Sequence, residues 1–168
     1  IRMKLIVIIP ARGGSKSLPK KNILLLKGRP LLCHSVDYSL KSKLVTTTIV
    51  STDSQEIADI AKNCGASVPF IRPDEFAQDD TRDYPVIRHA LDFFEARGQI
   101  FDLYILLRPT SPMRPSGLIE KAIEILKGNT NITSVRSMTR IKEHPYRAWK
   151  RHDDGSISGF IDNEIESY

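Results

Sequence analysis

The chain has 168 residues, of which 40% are hydrophobic and 27% charged, and its formal net charge is +5. That is enough chain for one domain with a real core, and no apolar run approaches the ~20 residues needed to span a bilayer. The opening "IRMKLIVIIP" is too short for a signal peptide and lacks a small-residue cleavage site.

Taken in order, "KLIVIIP" is a continuous apolar run ending in a breaker, which suits a strand buried on both faces. Next comes "PARGGSKSLPKKN", Pro10 to Asn22. No Asp or Glu precedes Asp37, whereas Arg2, Lys4, Arg12, Lys16, Lys20, Lys21, Lys27 and Arg29 are all positive. Cys33 and Cys64 each sit in a helical pattern without metal-like spacing. They are read as reduced core or near-core thiols, which favours a cytoplasmic location.

"TTIVST", "SVPFI", "DLYILL" and "ITSVRS" are further expected strands, rich in β-branched and apolar residues. Helical patterns alternate with them. In "SQEIADIAKNCG", Ile57, Ile60, Ala61 and Cys64 share a face and Gly65 can end the helix. "DYPVIRHALDFFEARG" has Pro85 near its first turn and Gly98 after its last. "SGLIEKAIEILKG" puts Ile119, Ala122, Ile123 and Leu126 on one stripe, with Ser116 as N-cap and Gly128 as stop. This alternation predicts an α/β fold of right-handed βαβ units around a mostly parallel, Rossmann-like sheet flanked by helices. Past Thr139 the pattern changes, and "YRAWKRHDDGSISGFID" predicts a hairpin turning at Asp154–Gly155. The expected organisation is an α/β domain over 3–140 and a hairpin arm over 141–168.

In an open parallel sheet, ligands bind beyond the carboxyl ends of the strands, where Pro10–Asn22 emerges. Gly13 and Gly14 let backbone N–H groups approach an anion. Arg12 can fork onto phosphate oxygens, and Lys16 and Lys21 add mobile charge. Asn22 can donate to a phosphate or ribose oxygen. Neither G-x-x-x-x-G-K-[ST] nor G-x-G-x-x-G is present. The residues alone leave two readings, a nucleotide-phosphate loop or a solvated basic turn. The basic pI of about 9.3 permits nucleic acid. However, the exposed aromatics or recognition motif of such binders are missing, so no nucleic-acid partner is expected.

"IIPARGGSKSLPKKNI" closely resembles the nucleotide-binding loop of the acylneuraminate cytidylyltransferases. "IVSTDS", "IRPDEFAQDDT", "VIRHAL", "LLRPTSPMRP" and "EHP" match further family segments in order, so the resemblance runs from about Lys4 to Asp154. It implies a nucleotide-diphospho-sugar transferase fold and transfer of CMP from CTP to a nonulosonic acid. It also implies a Mg²⁺ cofactor, a homodimer and no membrane partner. In the family the first loop wraps the triphosphate, which implicates Arg12, Gly13, Gly14, Ser15, Lys16, Lys21 and Asn22, with Arg12 and Lys21 in catalytic roles. Arg72 and the segment from Thr81 to Asp83 fall where the family reads the base. Arg108, Thr110 and Ser111 fall where it holds the acidic sugar. "EHPYR" falls on a segment reaching into the other protomer's site, which implicates Arg147.

The sequence departs from the family pattern at three places. Arg108 replaces a frequent Gln; it can hold the sugar carboxylate or pair with a nearby acid, which leaves legionaminic and pseudaminic acid open beside N-acetylneuraminic acid. Asp83 replaces a small hydroxyl residue; it can accept from cytosine, accept from guanine (making GTP the competing nucleotide), or cap the helix starting at Tyr84. Lastly, the family's acidic metal pair has no counterpart up to Tyr168. The Mg²⁺ ligands are expected downstream, and these 168 residues alone are expected to turn over little or not at all. A nucleotide- or anion-binding module without catalysis is the alternative. Asp53 is read as part of a capping arrangement with Glu56, and His89 as partly buried structure. Trp149 is read as a packing or dimer anchor, while His144 is left between shaping the arm and touching a partner. His34 receives no role.

Overall fold

Residues 3–15, 18–140 and 149–159 are described here, in a computed structural model. Strand β1, Leu5–Pro10, lies at the centre of a three-stranded parallel sheet. Its continuous apolar run is explained by burial on both faces. On one side it pairs with β4, Thr47–Ser51, with Ile8 opposite Ile49. On the other it pairs with β5, Leu103–Leu106, with Ile8 opposite Leu106. Between β1 and β4 come a short antiparallel pair, β2 (Leu25–Leu26) and β3 (Arg29–Pro30), and helix α1, Leu31–Lys41.

Alternate residues of β1 enter opposite layers, as the pleat requires. Val7 and Ile9 pack with Leu32, Cys33 and Val36 of α1, and with Ile57 and Ala61 of α2, Gln55–Asn63. Leu5 meets Ile119 and Ile123 of α4, Leu118–Gly128. Ile6 and Ile8 face Ile87, Ala90 and Phe94 of α3, Asp83–Glu95. Helices therefore cover both faces, and the expected α/β architecture is observed.

Two expected strands are absent. Within "SVPFI", Ser67 forms a parallel bridge to Ile49, donating to the Thr48 carbonyl and accepting from Val50 N, both at 2.9 Å. Pro69 has no N–H, so the ladder stops there. Residues 132–137, "ITSVRS", form no strand. Ile132 and Val135 stand three apart, which breaks the two-residue alternation of a one-faced strand.

The chain divides into two units, Ile1–Gly128 and Asn129–Tyr168. In the second, β6 (Trp149–Arg151) and β7 (Ile157–Gly159) form the expected hairpin. Its turn holds Gly155 at φ +87°, and the Asp154 carboxylate accepts from Ser156 N at 2.9 Å. Trp149 is exposed within it.

The cysteines depart from expectation. Cys33 of α1 and Cys64, at the C-terminal cap of α2, form a disulfide with Cα atoms 5.7 Å apart. The helical faces that bury these residues also bring them together, which their spacing in sequence did not reveal. Closing a 31-residue separation stabilises the fold by roughly 3–4 kcal/mol on chain-entropy grounds. Dithiothreitol is thus expected to lower the urea midpoint of the native chain and leave that of Cys64→Ser unchanged. Equal midpoints with and without reductant would show that the bond contributes nothing.

Candidate functional site

All three strands end at one edge of the sheet. With β1 central, the chain leaves it towards β4 and then crosses back to β5, which makes this edge a topological switch point where ligands bind in such folds. The segments following β1, β4 and β5 begin there, and they carry the residues singled out above.

The loop after β1 is held by specific contacts. Ala11 N continues the ladder by donating to the Ser51 carbonyl at 2.9 Å. Gly13 N donates to Asp53 Oδ1 at 2.8 Å. A Cβ on Gly13 would stand 3.1 Å from Ser54 Cβ, so glycine permits this close approach. Gly14, by contrast, faces open space. Asn22 is buried, and its Nδ2 donates to the Arg12 carbonyl at 3.0 Å, closing the loop on itself. Ser15 is half-buried, and Lys21 begins a 3₁₀ turn, Lys21–Ile23. Lys16 lies outside the described residues.

Acids meet several of the early positive charges, two of them from distant sequence positions. Arg12 pairs with Asp79 at 2.7 Å, Lys20 with Glu56 at 2.8 Å and Arg29 with Asp37 at 2.5 Å. Such solvated pairs are worth about 0–1 kcal/mol each, so an incoming polyanion can exchange for the carboxylate at little cost. Asp53 does not cap α2. Ser54 is the N-cap, its hydroxyl accepting from Ile57 N at 3.4 Å, which leaves the Asp53 carboxylate for Gly13.

Arg72 is buried. Nη2 donates to the Ser51 carbonyl at 2.6 Å and Nη1 to the Phe76 carbonyl at 3.1 Å. Burial lowers its pKa; the nearby Asp53 charge opposes this and Arg12 adds to it. The guanidinium thus ties the segment after β4 to the strand's end. His89 of α3 packs edge-on to Phe70, with ring centres 4.6 Å apart, and lies 5.2 Å from the Phe76 ring.

Burial lowers the His89 pKa, and the Arg72 charge lowers it further against the pull of Asp92 and Glu75. The unfolded chain, with a histidine pKa near 6.5, then binds more protons than the folded one in mildly acidic solution. Stability conferred by neutral His89 is expected to be lost as pH falls from about 6.5 towards the lowered folded value. Urea midpoints across this range should fall less for His89→Phe than for the native chain; parallel curves would refute the assignment.

At the start of α3, Asp83 forms an ion pair with Arg108, which follows β5. Helix α3 begins at Asp83 itself, with Arg82 at the N-cap and no capping side chain, so Asp83 is not the cap of a helix starting at Tyr84. Thr81 is half-buried, and its N–H donates to the Gln78 carbonyl at 3.2 Å. Thr110 and Ser111 are exposed, with Ser111 N donating to the Arg108 carbonyl at 3.2 Å. The fold thus brings the loop after β1, Arg72, Asp83 and Arg108 to one side of one unit. Arg147 and His144 lie outside the described residues. Asp79 and Arg114 were missed as contributors. Asp79 stands in "IRPDEFAQDDT" and Arg114 in "LLRPTSPMRP", but nothing in their spacing identified their partners. Among the described residues no group of three or more His, Cys, Asp or Glu side chains can hold a metal ion. No Mg²⁺ ligand is therefore assigned among the described residues, and no chemical step is routed through the ion.

The sequence profile described as cytidylyltransferase matches residues 6–152. The chain is 40% identical over 152 residues to CMP-N,N'-diacetyllegionaminic acid synthase of Legionella pneumophila, covering 90% of this chain and 64% of that protein. It is 36% identical to N-acylneuraminate cytidylyltransferase of Escherichia coli, across all of this chain and 39% of the relative. Pseudaminic acid cytidylyltransferase of Campylobacter jejuni is 34% identical, covering 73% of this chain and 53% of the relative. The chain therefore spans between 39% and 64% of the length of these curated relatives. Among solved structures, a cytidylyltransferase from Leptospira borgpetersenii superposes with a TM-score of 0.58 at 27% identity, over 76% of this chain and 50% of that one. CMP:2-keto-3-deoxy-manno-octonic acid synthetase complexed with CTP gives 0.63 at 23% identity, over 76% and 48%, a likeness of fold.

Proposed function

We propose, because this chain belongs to the cytidylyltransferase family, that it couples CTP to a nonulosonic acid, giving the CMP-sugar and pyrophosphate. One observation carries the reading: the basic loop after β1 and the Arg108 segment after β5 begin at the same edge of one parallel sheet. A nucleotide site and an acceptor site must adjoin in just this way for direct transfer.

In the proposed reaction the anomeric hydroxyl of the sugar attacks the α-phosphorus. A new P–O bond forms, the α–β bridge bond breaks, and the hydroxyl proton leaves to solvent. The acceptor is a carboxylate approaching a tetra-anion. Arg12, Lys16 and Lys21, with the N–H groups of Gly13, Gly14 and Ser15, are proposed to offset that repulsion and the charge growing on pyrophosphate. Asn22 supports the loop from beneath. Arg72 is proposed to shape the base pocket and Thr81 to line it, while Arg108, Thr110 and Ser111 hold the acidic sugar.

The relatives are named for three nonulosonic acids, which supports the class and leaves its members as arms of the test. Asp83 is paired with Arg108 through one carboxylate oxygen, a solvated contact that a substrate can displace, so CTP is proposed over GTP on the family alone. A Mg²⁺ cofactor and a homodimer with Arg147 entering the partner's site belong to the same proposal, and no described residue is assigned to the metal. Among the described residues no helix is long and apolar enough to cross a membrane. The cytoplasmic location proposed here follows from the nucleoside triphosphate, not from the cysteines.

The full-length protein should be incubated with each NTP and with N-acetylneuraminic, legionaminic or pseudaminic acid, and pyrophosphate release measured. CTP with at least one of the acids is expected to react. Release with GTP alone would replace the base assignment, and nucleotide binding without release in any combination would establish the non-catalytic reading.

A further inference from the structure

The segment after β5 that carries Arg108, Thr110 and Ser111 has no regular structure, so no strand or helix fixes its shape. The fixing contacts come from α1. Arg114 Nη1 donates to the Ser35 hydroxyl at 2.9 Å, and Nη2 donates to the Arg108 carbonyl at 2.6 Å. Ser35 is fully buried, and its hydroxyl donates to that same carbonyl at 3.4 Å. One turn along α1, the Tyr38 hydroxyl donates to the Pro115 carbonyl at 2.8 Å and accepts from Leu118 N at 3.1 Å. The Arg114 guanidinium lies 5.8 Å from the centre of the Tyr38 ring. Burial depresses its pKa.

Partly burying a guanidinium is costly unless its donors are used. Here the two donors span two acceptors on different elements, a planar fork that lysine cannot reproduce. We infer that Arg114 is a positioning residue, which fixes the Arg108 main chain against α1 and so sets how the Arg108 side chain and the Thr110–Ser111 main chain present themselves to the acidic substrate. The inference rests on the proposed sugar site. It separates Arg114 from Arg108: one arginine meets substrate, the other holds the segment that does so. Ile23, just past the basic loop, packs against the cluster that holds Leu32, Cys33 and Val36 of α1, so α1 adjoins that loop's exit as well as the segment after β5.

Arg114→Lys, Arg114→Ala and Tyr38→Phe should be compared with native full-length protein by two readouts. The first is amide hydrogen exchange across 108–118 without substrates. Exchange is expected to quicken by about tenfold in both Arg114 variants, and less in Tyr38→Phe, while β1 and β4 stay protected. The second is steady-state kinetics, where the KM for the acidic sugar is expected to rise about tenfold and that for CTP to stay within about twofold. If Arg114→Ala does not fold, Arg114→Lys carries the test, since it keeps the charge and stem but not the fork. Native-like exchange in Arg114→Lys, or an equal rise in both KM values, would overturn the inference. If the native protein turns over no sugar acid at all, the proposed function fails, and the exchange measurement still decides whether Arg114 fixes this segment.

Discussion

Arg12→Ala is expected to weaken CTP binding by about 10- to 100-fold, the loss of a charge-assisted hydrogen bond worth roughly 1.5–3 kcal/mol. The physical basis is the state of Arg12 in the free protein. Its side chain is 32% exposed and its partner Asp79 41%, so their 2.7 Å pair is solvated and readily exchanged. A triphosphate offers more charge and more acceptors than one carboxylate, and it should take Arg12 over. Losing the Asp79 pair should cost the fold at most about 1 kcal/mol. Binding and stability are thus expected to separate, and calorimetric titration with CTP beside urea unfolding measures both. Unchanged CTP affinity would mean that the phosphates lie elsewhere. Since the contact is charged, the native affinity should also decline as salt is raised.

Arg72→Ala is expected to behave in the opposite sense, lowering stability by about 1–3 kcal/mol. Removing the guanidinium takes its donor from the Phe76 carbonyl and leaves the Ser51 carbonyl with Ala11 N alone. Relief of the cost of burying a cation offsets part of this loss. Arg72 N also donates to the Thr52 carbonyl at 2.7 Å, so the main chain keeps one tie to the strand's end in the variant. CTP binding should suffer only through loosening of the segment beyond. A urea midpoint equal to that of the native chain would show that Arg72 does not anchor the segment, and would return its side chain to direct recognition of the base.

What could be read from sequence, and what could not, follows from the range of the forces involved. β1 was legible because burial on both faces writes a continuous apolar run, and β4 and β5 because their residues are β-branched or apolar. The amphipathic helices were legible because one buried face writes a period. "SVPFI" misled because its composition suits a strand while Pro69 ends the ladder. The partners of the basic loop were not legible, since Asp79 and Glu56 come from distant segments that only the fold brings near. The two cysteines were read as separate for the same reason.

Arg108 and Asp83 are the instructive pair. In sequence each looked like an isolated departure from the family pattern, one at the sugar segment and one at the base segment. In the structure they form one ion pair. Each accounts for the charge of the other, and together they connect the start of α3 to the segment after β5. The reading of Arg108 as paired with a nearby acid is met by Asp83, while the substrate contacts offered for each residue separately have to be restated for the pair.

The claim on which the account turns is that the loop after β1 holds the triphosphate. Backbone amide NMR of the protein titrated with CTP, and separately with cytidine, tests it most directly. CTP is predicted to move the Gly13, Gly14 and Ser15 resonances saturably, together with those of residues 72–83, whereas cytidine should spare the loop. Shifts confined to other segments, or equal loop shifts with cytidine and CTP, would contradict the account.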